Sequence, residues 1–348
     1  LPKVLLVKMS SLGDVVHTLP AVTEAAMNIP GLQLDWVIEE AFAEIPTWHP
    51  AVNKVISVAL RRWRKNPYEA LKSGEWAGFG EKLKSDYDLV IDAQGLLKSA
   101  LIAKKVGAEV VGFDRTSVRE PLASAFYQRR YSVARQMHAV ERTRELFAQG
   151  LGYAKSGPPD YGLRIDAAES EETGPTVMFL HGTTWFTKHW PESFWSDLAL
   201  RCREAGYSVW AAWGNNEEKA RAERLEVSAG VRVLPRMPLK GIAEHIARAQ
   251  AIVTVDTGLG HLAAALAKPT IALYGPTNPS LTGIYGAQQA SLSSSYHCAP
   301  CMRKHCRYEV LGEKFDYPPC WYELSPEVVW GRLRQIMPSA ETSTMRKS

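Results

Sequence analysis

Short apolar runs recur along the first half of the chain: Val4–Met9 (VLLVKM), Leu34–Glu39 (LDWVIE), Lys54–Val58 (KVISV), Leu89–Ala93 (LVIDA) and Val110–Phe113 (VVGF). Their length and β-branched content predict strands. Between several of them the apolar positions recur at helical spacing, from Val16 to Met27 and from Leu97 to Val106. Strand, helix, strand in succession predicts a parallel, doubly wound α/β sheet. The rhythm breaks from Tyr153 to Gly174, where Gly157, Pro158, Pro159 and Gly162 precede a run rich in Glu. That stretch reads as an interdomain linker.

The alternation then restarts. Strands are predicted over Thr176–Leu180, Tyr207–Ala212, Val231–Leu234, Ala251–Val255 and Thr270–Tyr274. Helices are predicted near Phe194–Glu204, Glu217–Val227, Leu239–Arg248 and Leu262–Leu266, with a last one near Pro326–Met337. The expected layout is two Rossmann-like domains, 1–160 and 175–325, followed by a terminal helix and a frayed tail over 326–348. In such sheets ligands bind beyond the carboxyl ends of the strands, so a cleft between the domains is expected and residues just after strands carry most information.

A length of 348 residues agrees with about two domains. With 46% hydrophobic and 22% charged residues the chain reads as soluble and globular, which excludes disorder and fibrous repeats. No apolar run reaches the roughly 18 residues needed to span a bilayer. The opening LPKVLLVKMSSLGDVVH reads as a first strand, not a signal peptide, so a cytoplasmic setting is expected. Net charge is only +4, but Arg61, Arg62, Arg64 and Lys65 fall together around Trp63. On its own such a run is most simply a solvated helix end or loop.

Candidate chemistry follows the strands. Ser10-Ser11-Leu12-Gly13-Asp14 comes after the first one. Its amides could bind an anion, but Asp14 would compete, so Asp14 is either a helix cap or a general base kept ionised by the helix dipole. There is no G-x-G-x-x-G, which disfavours a dinucleotide site and an oxidoreductase. His181-Gly182-Thr183-Thr184 with Lys188 is either a polar loop or a diphosphate grip in which the lysine neutralises a leaving phosphate. Trp213-Gly214, with Glu217 and Glu218 just after, could stack a base and hold a ribose. Asp256-Thr257-Gly258-Leu259-Gly260-His261 places a turn and Thr257 at a helix N-terminus, an anion site. No acidic pair sits where a divalent cation would be demanded.

Five cysteines are too few for a secreted disulfide framework. Cys202 reads as core. Cys298, Cys301, Cys306 and Cys320 have knuckle-like spacing that would suit a structural zinc or a rubredoxin-like iron, with His297 or His305 able to replace one ligand. Four reduced thiols in an ordinary loop are the alternative.

The blocks VKMSSLGDVVHTLPAV, DWVIEEAFAEIPTWHPAV, ALRRWRKN, VIDAQGLLKSA, REPLAS, HAVERTRELFAQGLGY, HGTTWFTKHWP and VDTGLGHLAAAL resemble the bacterial lipopolysaccharide heptosyltransferases of glycosyltransferase family 9, closest to the heptosyltransferase I branch. The resemblance covers about residues 3 to 285. It implies the GT-B fold, with two Rossmann-like domains facing a central cleft. It implies inverting transfer of L-glycero-D-manno-heptose from ADP-heptose to the Kdo of Kdo-lipid A, in inner-core synthesis, with no metal in catalysis and no nucleic acid partner. It further implies an enzyme peripheral on the cytoplasmic face of the inner membrane.

By matching motif, Asp14 resembles the family's base and Lys188 the residue that balances the leaving ADP. Thr183, Thr184, Thr257 and Gly258 fall around the diphosphate, Trp213 and Glu218 at the nucleoside, and Asp256 and His261 on the donor-sugar side. Arg61, Arg62, Arg64, Lys65, Gln94, Lys98, Arg119, His138 and Arg142 match the acceptor side, where carboxylates and phosphates would give the basic run a use.

After about Ser291 the chain departs from heptosyltransferase I. The stretch 297–320 resembles instead the cysteine-rich ends of heptosyltransferase II and of protein heptosyltransferases. An already heptosylated core or a protein is therefore the rival acceptor. A non-catalytic binder of anionic lipid or nucleotide is a third reading, against which the presence of both Asp14 and Lys188 argues.

Overall fold

Strand β1 (Lys3–Val7) stops two residues before its apolar run does, although the Lys8 N–H and the Met9 carbonyl still bond to Val37 and Glu39. The structure is a computed structural model and describes residues 2–165, 174–310 and 316–337. Two units partition the chain, Leu1–Arg164 and Ile165–Ser348.

In the first unit β1 lies between β2 (Gln33–Glu39) and β4 (Leu89–Asp92). With β3 (Val52–Val58), β5 (Glu109–Phe113) and β6 (Arg129–Tyr131) the order is β3-β2-β1-β4-β5-β6, every pair parallel. Val4 to Val7 are buried on both faces, as a central parallel strand requires. The predicted helix from Val16 to Met27 is two, Leu12–Val16 and Leu19–Asn28, the second entered with Pro20 in its first turn. The basic run is the helix Leu60–Lys65, followed by Pro67–Lys72 and Glu75–Lys82. Helix Ala139–Leu151 is tied to Leu19–Asn28 by a buried fork: Arg144 donates to both oxygens of Glu24 at 3.0 and 3.1 Å. Arg144 also donates to the carbonyls of Ser156 and Gly157, so the chain leaving that helix folds back onto the first unit.

The second unit repeats the topology. Strands β7 (Thr176–Leu180), β8 (Ser208–Ala211), β9 (Arg232–Val233), β10 (Ala251–Val255), β11 (Thr270–Tyr274) and β12 (Gln289–Ser293) form a parallel sheet in the order β12-β11-β10-β7-β8-β9. Its core holds Trp190, Trp195 and Trp321, with Cys202 among them, as expected for that cysteine. The helix Pro326–Ile336 docks on the same core through Val329 and Leu333. The expected tail beyond residue 337, linker residues 166–173 and residues 311–315 of the cysteine segment lie outside the described residues. Among the described residues no helix is long and apolar enough to cross a membrane.

Candidate active site

In each sheet the strand order reverses direction once, between β1 and β4 and between β7 and β10. A crevice opens beyond the carboxyl ends of the strands at such points. The expected residues of each unit gather there.

In the first unit, Asp14 sits in the first turn of the helix Leu12–Val16. Its Oδ2 accepts from the backbone N–H and the hydroxyl of Ser11 at 2.8 and 2.9 Å. Its Oδ1 faces the Lys8 ammonium at 3.9 Å. Burial pushes the Asp14 carboxyl up, but the Lys8 charge, the two Ser11 bonds and the Arg119 charge together hold it below the usual carboxylate range. Asp14 thus closes a capping box, the first of its two readings, and its carboxylate is held ionised beyond the end of β1. Lys8 is buried and donates to the carbonyl of Ala93 at 3.0 Å. Burial pulls its pKa down, and Arg119 and Arg142 add to this, while Asp14 and Asp92 oppose it. Sequence reasoning did not single out Lys8. Its only trace there is a lone cation inside VLLVKM.

The loop carrying Ser10 is held by Gln94, whose Oε1 accepts from the N–H groups of Met9 and Ser10 at 2.9 and 3.1 Å. Gln94 is positioned in turn by Asp92, buried at the end of β4, which accepts from the N–H groups of Gln94 and Gly95 and from Ser99 and Tyr127. Arg61, Arg64 and Lys98 line one cavity of about 540 Å³ with Ser10, Trp63 and Trp76. Arg62 points elsewhere: it bridges Glu40 and Glu75, and Trp63 donates to the same Glu75 at 2.7 Å. Lys65 is exposed and does not line that cavity. His138 caps the helix Ala139–Leu151, accepting on Nδ1 from Val140, and meets His17 edge to face. Arg142 donates to the Ser117 carbonyl and lies over Phe113.

In the second unit, the turns after three strands, β7, β8 and β10, contribute. After β7 come Thr183 and Lys188; Thr183 donates to the carbonyl of Asp256 at 3.3 Å. The Lys188 ammonium is 2.7 Å from Asp256 Oδ2 and 4.4 Å from the centre of the Trp185 ring. His261 Nε2 approaches Asp256 Oδ1 at 4.0 Å. Thr257 is the N-cap of the helix Gly258–Ala265; its side chain makes no capping bond, while its carbonyl accepts from the Gly260 N–H at 3.1 Å. After β8, Trp213 donates to the Leu234 carbonyl at 2.7 Å, and Glu218 accepts from the Gly214 N–H at 2.7 Å. A Cβ at position 182 would lie 2.5 Å from that carboxylate, so glycine there lets Glu218 bridge the turns after β7 and β8. Thr184 is exposed beside these groups.

The cysteines behave differently from the expectation of a metal knuckle. Cys298, Cys301, Cys306 and Cys320 are free thiols. Among the described residues no group of three or more His, Cys, Asp or Glu is arranged to hold a metal ion. Cys320 is buried in the apolar core against Gly275 and Trp321, and burial, then the other three cysteines, push its thiol up to about 12. Burial and its cysteine neighbours raise Cys298 too. The structure does not support the expected zinc or iron.

Known proteins resemble this chain in sequence and fold. The sequence profile of Glycosyltransferase family 9 (heptosyltransferase) matches residues 76–311. The chain belongs to glycosyltransferase family 9. Lipopolysaccharide heptosyltransferase 1 of Pseudomonas aeruginosa is 55% identical, over 98% of this chain and 99% of its own length. Among solved structures, E. coli heptosyltransferase WaaC with ADP superposes with a TM-score of 0.83 at 43% identity, over 96% of this chain and 99% of that one. The same enzyme with ADP-2-deoxy-2-fluoro heptose gives 0.81 at 42%, with the same shares covered. The fold of this family 9 chain is thus GT-B, as the resemblance implied. One expectation is corrected. A match over 98% of the chain leaves out less than the 297–320 segment, so that segment does have a counterpart in a heptosyltransferase 1.

Proposed function

We propose that the protein is an inverting heptosyltransferase that moves L-glycero-D-manno-heptose from ADP-heptose to the Kdo of Kdo-lipid A. The observation that carries this reading is Asp14, an ionised carboxylate fixed by Ser11 and Lys8 at the β1–β4 crevice. An acceptor hydroxyl gives its proton to Asp14 as its oxygen bonds to the anomeric carbon; the bond from that carbon to the ADP oxygen breaks, and configuration inverts. A carboxylate held below its usual range is a weak base, so the proton moves late, once the attacking oxygen has become acidic. Lys188 balances the charge that builds on ADP. Its ion pair with Asp256 keeps it in place before the donor arrives. Trp213 and Glu218 take the nucleoside; Thr183, Thr184, Thr257 and Gly258 the diphosphate; Asp256 and His261 the heptose.

Arg61, Arg64 and Lys98 face the anionic acceptor, and Arg119, Arg142 and His138 belong to the same acceptor set. Lys65 adds charge at the rim, and Gln94 acts by holding the Ser10 loop. The acceptor is a lipid, and Tyr68, Leu71, Trp76, Leu97, Leu101 and Leu122 are exposed in the same unit. With Lys98, Lys104 and Lys105 they fit a protein that works at an anionic membrane surface. The test is ADP release on mixing the protein with ADP-heptose and either Kdo-lipid A or the same lipid already carrying one heptose. Turnover on the first alone is expected. Turnover confined to the second, or tighter binding of UDP than ADP, overturns the proposal.

A further inference from the structure

The cysteine-rich segment returns to the donor side of the second unit. The Ser294 N–H donates to the Tyr274 carbonyl at 3.0 Å, and the Met302 N–H to the Pro276 carbonyl at 2.7 Å. Thr187 donates from its hydroxyl to the Arg303 carbonyl at 2.8 Å. The backbone just before Lys304 is thus fastened to the turns after β7 and β11. Lys304 itself is exposed, and its ammonium lies 5.5 Å from the centre of the Trp185 ring. Lys188 uses the same ring at 4.4 Å.

Two ammonium groups sharing one indole stand within about 10 Å of each other and repel unless an anion lies between or beside them. Lys188 has its anion, Asp256. Lys304 has no carboxylate partner among the described residues. We infer that Lys304 is a second cation for the diphosphate of the donor, delivered by the cysteine-rich segment. The inference rests on the reading of this edge as the nucleotide-sugar site. A diphosphate carries more negative charge than one lysine already matched by a carboxylate can offset, and that charge grows as the sugar leaves. A long, exposed side chain reaches such a group as a point charge without a fixed geometry. The segment serves to hold that lysine at the site.

The experiment is calorimetry of the full chain with ADP, AMP and adenosine at low and high salt, with steady-state transfer alongside. Lys304→Met keeps the stem on Trp185 and removes the charge. It is expected to weaken ADP about tenfold, AMP less and adenosine not at all, to reduce the salt dependence of ADP binding, and to leave the acceptor KM unchanged. Lys304→Arg should restore most of the loss. Equal ADP affinity in Lys304→Met and the parent, or the same loss for adenosine as for ADP, means that Lys304 only packs on Trp185 and overturns the inference. A parent protein that binds no ADP overturns the functional reading beneath it instead.

Discussion

Asp14 holds two positions that a sequence presents as rivals. The carboxylate that closes the Ser11 box is also the one facing Lys8, because a side chain in the first turn of a helix can cap on one oxygen and present the other. Asp14→Asn keeps the shape and removes the proton acceptor, so kcat should fall by about 10²–10⁴ with ADP affinity preserved. Near-normal turnover with early melting would reduce Asp14 to a cap. Lys8 gives the sharper measurement. Its charge is the leading influence that lowers the Asp14 pKa, so Lys8→Met should raise that pKa. A base works when deprotonated, and the acid limb of kcat/KM should therefore move to higher pH in the variant. An unmoved limb would disconnect Lys8 from the base.

The helix Leu60–Lys65 divides its charges by direction. Arg61 and Arg64 line the cavity, whereas Arg62 is spent on Glu40 and Glu75. Replacing Arg61 and Arg64 with Ala should raise the acceptor KM, by less in high salt, with donor KM unchanged. Arg62→Ala should instead speed hydrogen exchange across residues 60–82 and leave the acceptor KM nearly as it was. The reverse pattern would place Arg62 at the acceptor. That the run was basic could be read from sequence; which arginine was free could not, since Glu40 and Glu75 lie far from it along the chain. The same limit hid β6 and β12. RRY and QASLS are edge strands with one neighbour each, and with one face half-solvated they carry no apolar run. The central strands, buried on both faces, were legible because burial writes continuous Val, Leu and Ile.

Across the described residues, the central strands of both sheets and the turns that follow them could be found from periodicity, and those turns hold most of the candidate site residues. What sequence could not show is which titratable groups are sealed. His49 in the first unit is buried and neutral, its pKa lowered to about 4; in the second unit His181 is lowered to about 3 and His189 to about 4, all chiefly by burial. The unfolded chain takes up protons from about pH 6.5, the folded one only some two units lower or more, so stability falls as pH drops from 6.5 toward 4. The fully buried pair, His49 and His181, should each add a slope of about 1.4 kcal/mol per pH unit inside that window. Denaturant midpoints between pH 7 and 4 would show it, and His49→Gln should flatten part of the decline. A level profile would mean that these histidines ionise in place.

The indoles of Trp321 and Trp190 bond to the carbonyls of Thr187 and Leu324 at 2.9 Å, sewing residues 318–324 onto the turn that bears Lys188. During synthesis the nucleotide-side strands emerge well before those residues do. A ribosome-bound chain can therefore form its second sheet before residues 318–324 brace the turn that bears Lys188. Products terminated before residue 318 should therefore keep that sheet but leave the turn unbraced, which faster hydrogen exchange over residues 181–191 would show.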